Sequence, residues 1–163
     1  MATNIESLLR LPALRNPENS SVGLDASERT LRSVLTALSE GRFSDAVSRF
    51  DDHFTFIDQA LDLEFTDKER LIEFFRKSRE LFPDTAIEIE SIFAFEDHAA
   101  ALWKLTATQT VPCAITYGFP IALHGSTIVR VAHGRIVQWS DYYDGSSSGR
   151  TGLASYFTEW MEY

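Results

Sequence analysis

The feature that most constrains this chain is the run from Gly125 to Asp144. Two β-rich segments flank His133-Gly134, a pair suited to a tight turn, so the run reads as a hairpin. Side chains of a strand alternate between two faces. On the second strand Val137, Trp139, Asp141 and Tyr143 share one side, while Ile136, Gln138, Ser140, Tyr142 and Asp144 share the other. The first side is apolar and aromatic except for one carboxylate. An acid on the core face of a strand is costly unless it is paired, hydrogen-bonded or protonated. Asp141 is therefore a candidate acid/base set beside two large rings.

The rest of the chain supplies helices first and strands afterwards, an α+β order. Residues 1–24 form a separate leader, either poorly ordered or packing its leucines on the domain or a second subunit. Residues 25–163 are read as one α+β domain. A helix is expected over 27–39, with Ser27 as N-cap, Leu31, Val34, Leu35 and Leu38 as its apolar stripe, and Gly41 as its stop. A short helix over 43–50 precedes a strand over 53–58, on which Phe54, Phe56 and Asp58 share a face. Thr66 and Glu69 read as a capping box opening a helix that carries Leu71, Phe74, Phe75, Leu81 and Phe82. Residues 85–95 place Ile87, Ile89, Phe93 and Phe95 on one face, and Glu96-Asp97 make a turn. Residues 98–110 place Ala101, Trp103, Leu105 and Ala107 on one face. The segment 114–131 is expected to bend or bulge near Gly118, Pro120 and Gly125. A last helix over 151–162 carries Leu153, Tyr156, Phe157, Trp160 and Met161 at amphipathic spacing.

Composition narrows the function. The chain carries a formal charge of −9, which disfavours nucleic acid as a partner. Its single Cys113 and four unclustered histidines give no metal-ligand spacing, so no metal is expected. No apolar run approaches the length of a membrane span, and Met1 to Glu6 lack the features of a signal peptide, which predicts a cytoplasmic protein with no membrane contact.

The combination of Phe50 to Asp58, Phe82-Pro83-Asp84, Gly118-Phe119-Pro120 and His133 to Asp144 resembles the nuclear transport factor 2-like superfamily, especially its SnoaL-like and limonene-1,2-epoxide hydrolase-like branches. The resemblance covers roughly residues 27–144. It implies a cone-shaped barrel, a strongly curved antiparallel or mixed sheet packed on N-terminal helices, with an apolar pocket inside. Asp141, in Trp139-Ser140-Asp141-Tyr142, matches the Trp-Arg-Asp-Tyr motif of the epoxide hydrolases, where that Asp is a catalytic acid/base. Asp58 falls where ketosteroid isomerase-like members keep their base. The hydrolases also need an Arg-x-Asp pair, and the matching inward positions here are Leu105 and Ala107, which disfavours epoxide hydrolysis by that mechanism.

Two functions remain open. One is a cofactor-independent enzyme, like a polyketide cyclase, isomerase or hydrolase, acting on a small apolar oxygenated molecule through Asp141 with Asp58 or His124. The other is a non-catalytic ligand-binding or dimerisation module. Asp141 could instead be satisfied by Tyr hydroxyls or backbone N–H groups, and Asp58 could simply open the 59–63 loop. A bulge near Gly125 leaves the facing of His124 open. Phe56, Trp103, Leu105, Tyr117, Val137, Trp139 and Tyr143 are expected to line the pocket. With no Arg or Lys expected to point into the cavity, burial should raise the Asp141 pKa. The C-terminal stripe predicts a homodimer, with a lid over the pocket as its competing use.

Overall fold

The structure is a computed structural model that describes residues 25–110, 118 and 120–144. The leader, Tyr117 and the expected helix over 151–162 lie outside the described residues. Among the described residues three helices, α1 (Ala26–Ser39), α2 (Phe43–Val47) and α3 (Lys68–Leu81), accompany six strands. The strands are β1 (Phe50–Asp58), β2 (Leu63–Phe65), β3 (Ala86–Phe95), β4 (His98–Thr108), β5 (Pro120–Ala132) and β6 (Arg135–Tyr143). They form one sheet in the order β2-β1-β6-β5-β4-β3. The sheet is mixed: β1 and β6 run parallel, while every other neighbouring pair is antiparallel. It curls around its core without closing into a barrel. Among the described residues no helix is long and apolar enough to cross a membrane.

Local chemistry sets most element ends, with three shifts from the sequence reading. Helix α1 is capped by Asp25, whose carboxylate accepts from the Ser27 N–H at 2.8 Å, so Ser27 lies inside the helix and not at its cap. Helix α3 is capped by Asp67, which accepts from the Arg70 N–H at 2.9 Å, displacing the expected Thr66 box by one residue. Both carboxylates sit at positive helix ends that need an acceptor. Helix α2 stops at Val47, and β1 starts at Phe50, whose ring is fully buried. The hairpin turn is as expected: His133 and Gly134 have φ of 50° and 75°, the left-handed pair of a type I′ turn.

Alternation holds along β4, where Ala99, Ala101, Trp103 and Ala107 are buried. It fails on β3. The pairing with β4 slips between Ile89 and Ser91, leaving Glu90 as the extra residue. A bulge of one residue exchanges the faces beyond it. Ile87 and Ile89 therefore pack inward, as do Ile92 and Ala94 after the slip, while Phe93 and Phe95 turn out and are 59% and 74% exposed. A second slip falls between Arg130 and Val131 on the β5–β6 ladder, where Val131 pairs with Ile136 and Arg130 with Gln138. Ile136 is fully buried as a result, although the parity of Trp139 and Asp141 places it outside, and Val137 becomes the bulged residue. No break occurs near Gly125: β5 pairs with β4 residue by residue from Pro120 to Arg130. Gly125 serves a close approach instead, since a Cβ there would overlap the six-membered ring of Trp103.

Candidate active site

The inner face of the sheet is organised in rows across the strands. The deepest row, Phe65–Phe56–Trp139–Val129–Ala99, is wholly apolar in character and buried. Phe56 stacks on Trp139 with ring centres 5.9 Å apart, and Phe74 and Phe75 of α3 close over Phe56. The next row is Leu63–Asp58–Asp141–Thr127–Ala101. The third runs Tyr143–Gly125–Trp103–Ile89, with the Trp103 ring filling the space over Gly125. A polar row is thus set between two aromatic ones. The rows open on a cavity of about 200 Å³ lined by Asp58, Asp141, Tyr143 and Thr127 among mostly apolar side chains, including Phe56, Trp103, Leu105 and Trp139.

Asp58 and Asp141 lie 83 residues apart in the chain, and they are direct partners on the parallel β1–β6 ladder. Residues so paired point to one side, about 4.8 Å apart from strand to strand. Asp58 Oδ1 accepts from the backbone N–H groups of Ala60 and Leu61 at 3.0 and 2.9 Å, and Oδ2 accepts from the Tyr143 hydroxyl at 2.9 Å. Asp58 is therefore both the residue that opens the 59–63 loop and a group facing the cavity. Burial raises its pKa, and those three donors pull it back. Asp141 Oδ1 accepts from the Thr127 hydroxyl at 2.5 Å, and Thr127 accepts in turn from the Trp103 indole N–H at 2.9 Å. Burial pushes the Asp141 pKa up to about 7, the Thr127 hydrogen bond lowers it, and the Asp58 charge adds to the rise. The Trp139 indole N–H lies near enough to attract the Asp141 carboxylate, yet it is buried without a well-formed hydrogen bond to any described partner. We regard that contact as electrostatic only. Burial and the two carboxylates raise the Tyr143 pKa, which keeps its hydroxyl protonated as a donor.

The two acids thus divide by hydrogen-bond supply. Asp58, with three donors, is the better held as a carboxylate; Asp141, with one, is the member of the pair that gains and loses a proton near neutral pH.

Of the residues expected from sequence, Asp58, Asp141, Phe56, Trp103, Leu105, Trp139 and Tyr143 all border the cavity. Two do not. His124 faces away: it pairs with Lys104 on the outer face, is 67% exposed and lies 3.5 Å from Glu90. The unbroken alternation of β5 through Gly125 decides this. Val137 sits at the bulge and is absent from the cavity wall. Tyr117 lies outside the described residues. Leu105 and Ala107 both face the cavity, so the wall where an Arg-x-Asp pair would stand is apolar. Thr127 was missed; its signal was a hydroxyl at inward parity with Val129 and Val131. Arg79 corrects the expectation that no Arg or Lys points into the cavity, since strand parity does not govern a residue on α3. It reaches the cavity from α3 but spends its N–H groups on the carbonyls of Leu38, Ser39, Pro83 and Thr85, tying the ends of α1 and α3 together. Among the described residues, no group of His, Cys, Asp and Glu is placed to hold a metal ion.

The SnoaL-like domain family describes residues 31–139, well over half of the chain. The chain belongs to this family. The matched span contains β1 with Asp58 and ends at Trp139, two residues before Asp141. Solved structures share the SnoaL-like fold at low identity. A protein from Catenulispora acidiphila, described as having a ketosteroid isomerase-like fold and bound to trimethylamine, superposes with a TM-score of 0.67 at 19% identity, over 79% of this chain and 97% of its own. A candidate polyketide cyclase from Acidithiobacillus ferrooxidans gives 0.65 at 22%, over 80% and 97%. A nuclear transport factor 2-like protein from Burkholderia thailandensis gives 0.69 at 11%, over 78% and 98%. These likenesses are of fold. No curated protein matches the sequence.

Proposed function

We propose that this SnoaL-like domain binds a small, mostly apolar, oxygenated molecule and moves a proton on it, as an isomerase or cyclase of ketone-like substrates does. One observation supports this above the others: Asp141 borders an apolar cavity with its pKa pushed up to about 7. A general base works best when its pKa lies near the working pH. Ionised Asp141 takes the proton from a carbon next to a carbonyl, leaving an enolate, and returns it to a different atom of the same molecule. Asp58 stays ionised on its three donors and keeps the proton affinity of Asp141 high. The apolar walls hold the carbon skeleton. Neighbours named as candidate polyketide cyclases fit this reading of the substrate class. The apolar wall at Leu105 and Ala107 speaks against epoxide hydrolysis through an Arg-x-Asp pair.

The test is a panel of terpenoid and polyketide-like ketones in deuterated water, with incorporation at the α-carbon followed by NMR. Wild-type protein is expected to catalyse exchange on at least one ketone. Asp141→Asn should slow it by about 100-fold or more, the usual share of a general base, while binding the same ketone with similar affinity. Binding without exchange by the wild type would leave the non-catalytic module as the reading. Neither binding nor exchange across the panel would sink both.

A further inference from the structure

The two carboxylates of the cavity have four oxygens, and three of them are occupied. Asp58 Oδ1 accepts from the Ala60 and Leu61 N–H groups, Asp58 Oδ2 from the Tyr143 hydroxyl, and Asp141 Oδ1 from the Thr127 hydroxyl. Among the described residues none makes a well-formed hydrogen bond to Asp141 Oδ2. Asp58 is buried, whereas Asp141 is only half-buried and borders the cavity. The oxygen of the pair left open to a ligand is therefore Oδ2 of Asp141.

Chemistry fixes the direction of the hydrogen bonds behind Oδ1. An indole N–H donates and cannot accept. The Thr127 hydroxyl therefore accepts from Trp103 Nε1 at 2.9 Å and must give its own proton elsewhere. It gives it to Asp141 Oδ1, at 2.5 Å. Thr127 is fully buried, and no other described side chain accepts from it. A proton on Oδ1 would displace that hydroxyl proton and leave it buried without an acceptor, which is costly. When Asp141 is protonated, its proton therefore sits on Oδ2. The other titratable groups at the cavity do not compete for this place. Asp58 from β1 and Tyr143 from β6 are bonded to each other, and Arg79 from α3 gives its N–H groups to backbone carbonyls. The described residues that line the cavity from α1, α2, β4 and β5 carry no charge. Trp139 Nε1 stands near Asp141 without a well-formed bond to it.

We propose that Trp103 and Thr127 are positioning residues, a one-way relay behind Oδ1 that makes Oδ2 of Asp141 the atom that takes the ligand's proton and returns it. The proposal rests on the reading of Asp141 as the general base. In the forward step the C–H bond next to the carbonyl breaks, an O–H bond forms on Oδ2, and the electron pair of the C–H bond passes into the enolate. In the return step the Oδ2–H bond breaks and its proton goes to a different atom of the same molecule. The relay has a second effect. A hydroxyl already polarised by an indole donor is the better donor to a carboxylate, so the relay favours the ionised form of Asp141.

The experiment is a carbon NMR titration of the Asp141 carboxyl group in the full chain, for wild type, Thr127→Val, Thr127→Ser and Trp103→Phe, with melting as the fold control. Thr127→Val is expected to raise the midpoint by about one pH unit or more. Trp103→Phe keeps the hydroxyl but frees it to turn and accept, so the midpoint should rise by a smaller amount. Thr127→Ser puts the hydroxyl back and should titrate close to wild type. On any ketone that wild type exchanges, the pH–rate profile should move with the NMR midpoint, which loss of stability alone would not cause. One reading needs no variant to fold: in wild type the Trp103 indole N–H signal should titrate with the midpoint of Asp141. A Trp103 signal that ignores the Asp141 titration overturns the proposal. So does a folded Thr127→Val with an unmoved midpoint, or a Trp103→Phe that titrates as wild type, which would leave Thr127 acting alone. Wild-type protein that exchanges no ketone would overturn the proposed function and the proton step on the ligand, while the titrations still decide the relay.

Discussion

At the scale of single residues, Asp141 ties proton chemistry to stability. Its folded pKa of about 7 stands above the ordinary carboxylate value, so the folded protein holds a proton that the unfolded chain releases. The stability this supplies is complete below about pH 4, falls as pH rises through 7 and is level above that. The loss is at most about 4 kcal/mol for a shift of this size. Asp141→Asn should therefore melt above the wild type at pH 8, with the gap closing towards pH 4.5. Melting curves at four or five pH values check this, and a variant less stable than wild type at pH 8 would mean that the carboxylate anchors the fold. Thr127→Val probes the same group from its donor side. It removes the hydroxyl 2.5 Å from Asp141 and leaves the Trp103 N–H without its acceptor. The cost should be about 1–3 kcal/mol, and the Asp141 pKa should rise further, readable as an upward displacement of the pH dependence of melting or exchange.

At the scale of elements, the sheet is shaped by where side chains are left out or doubled. Gly125 sits inward between Trp103 and Tyr143, and the Trp103 ring occupies the place of its side chain. Gly125→Ala should destabilise by about 1–3 kcal/mol through overpacking. It should also change Trp fluorescence, because the ring that donates to Thr127 must move; a variant with wild-type melting and emission would contradict the close approach. The turn is a milder case. Gly134 has φ of 75° with no atom near its missing side chain, so Gly134→Ala meets backbone strain alone and should cost about 1 kcal/mol. Glu90 acts in the opposite sense. As one residue too many on β3 it shifts the core face from Ile87 and Ile89 before the bulge to Ile92 and Ala94 after it, which turns Phe93 and Phe95 to the surface.

At the scale of the molecule, helices α1 and α3 and the curled sheet enclose a cavity whose acids lie in one row and whose remaining walls are mostly apolar. Under the proposed function, such a cavity would hold its ligand through the apolar part and orient it through the row. Any ketone found by the exchange screen should raise the melting temperature as its concentration passes its dissociation constant. Leu105→Trp puts an indole ring in place of an isobutyl group on β4, filling the same space. The expected result is a folded protein whose melting temperature no longer responds to that ketone. A retained response would place the ligand outside this cavity.

Several of these features were legible along the chain because they are local. Alternation along β4, β1 and the end of β6 comes from the pleat of a single strand, so Trp103, Phe56, Asp58, Trp139, Asp141 and Tyr143 could be assigned inward from their own neighbours in sequence. The His133-Gly134 turn was legible because only left-handed backbone closes so short a hairpin. Other features depend on the strand across a ladder, and no stretch of the chain carries that by itself. The bulges at Glu90 and Val137 exist only relative to β4 and β5, and each exchanges the faces of the strand residues on its two sides. The outward turn of His124 rests on unbroken pairing through Gly125. The meeting of Asp58 with Asp141 needs the one parallel pair in the sheet, closed over a long stretch of chain, and the raised pKa of Asp141 needs the desolvation that this closure brings. Strand parity is a steric property of a few consecutive residues; which carboxylate faces which, and how dry the space between them is, was decided only when distant strands packed together.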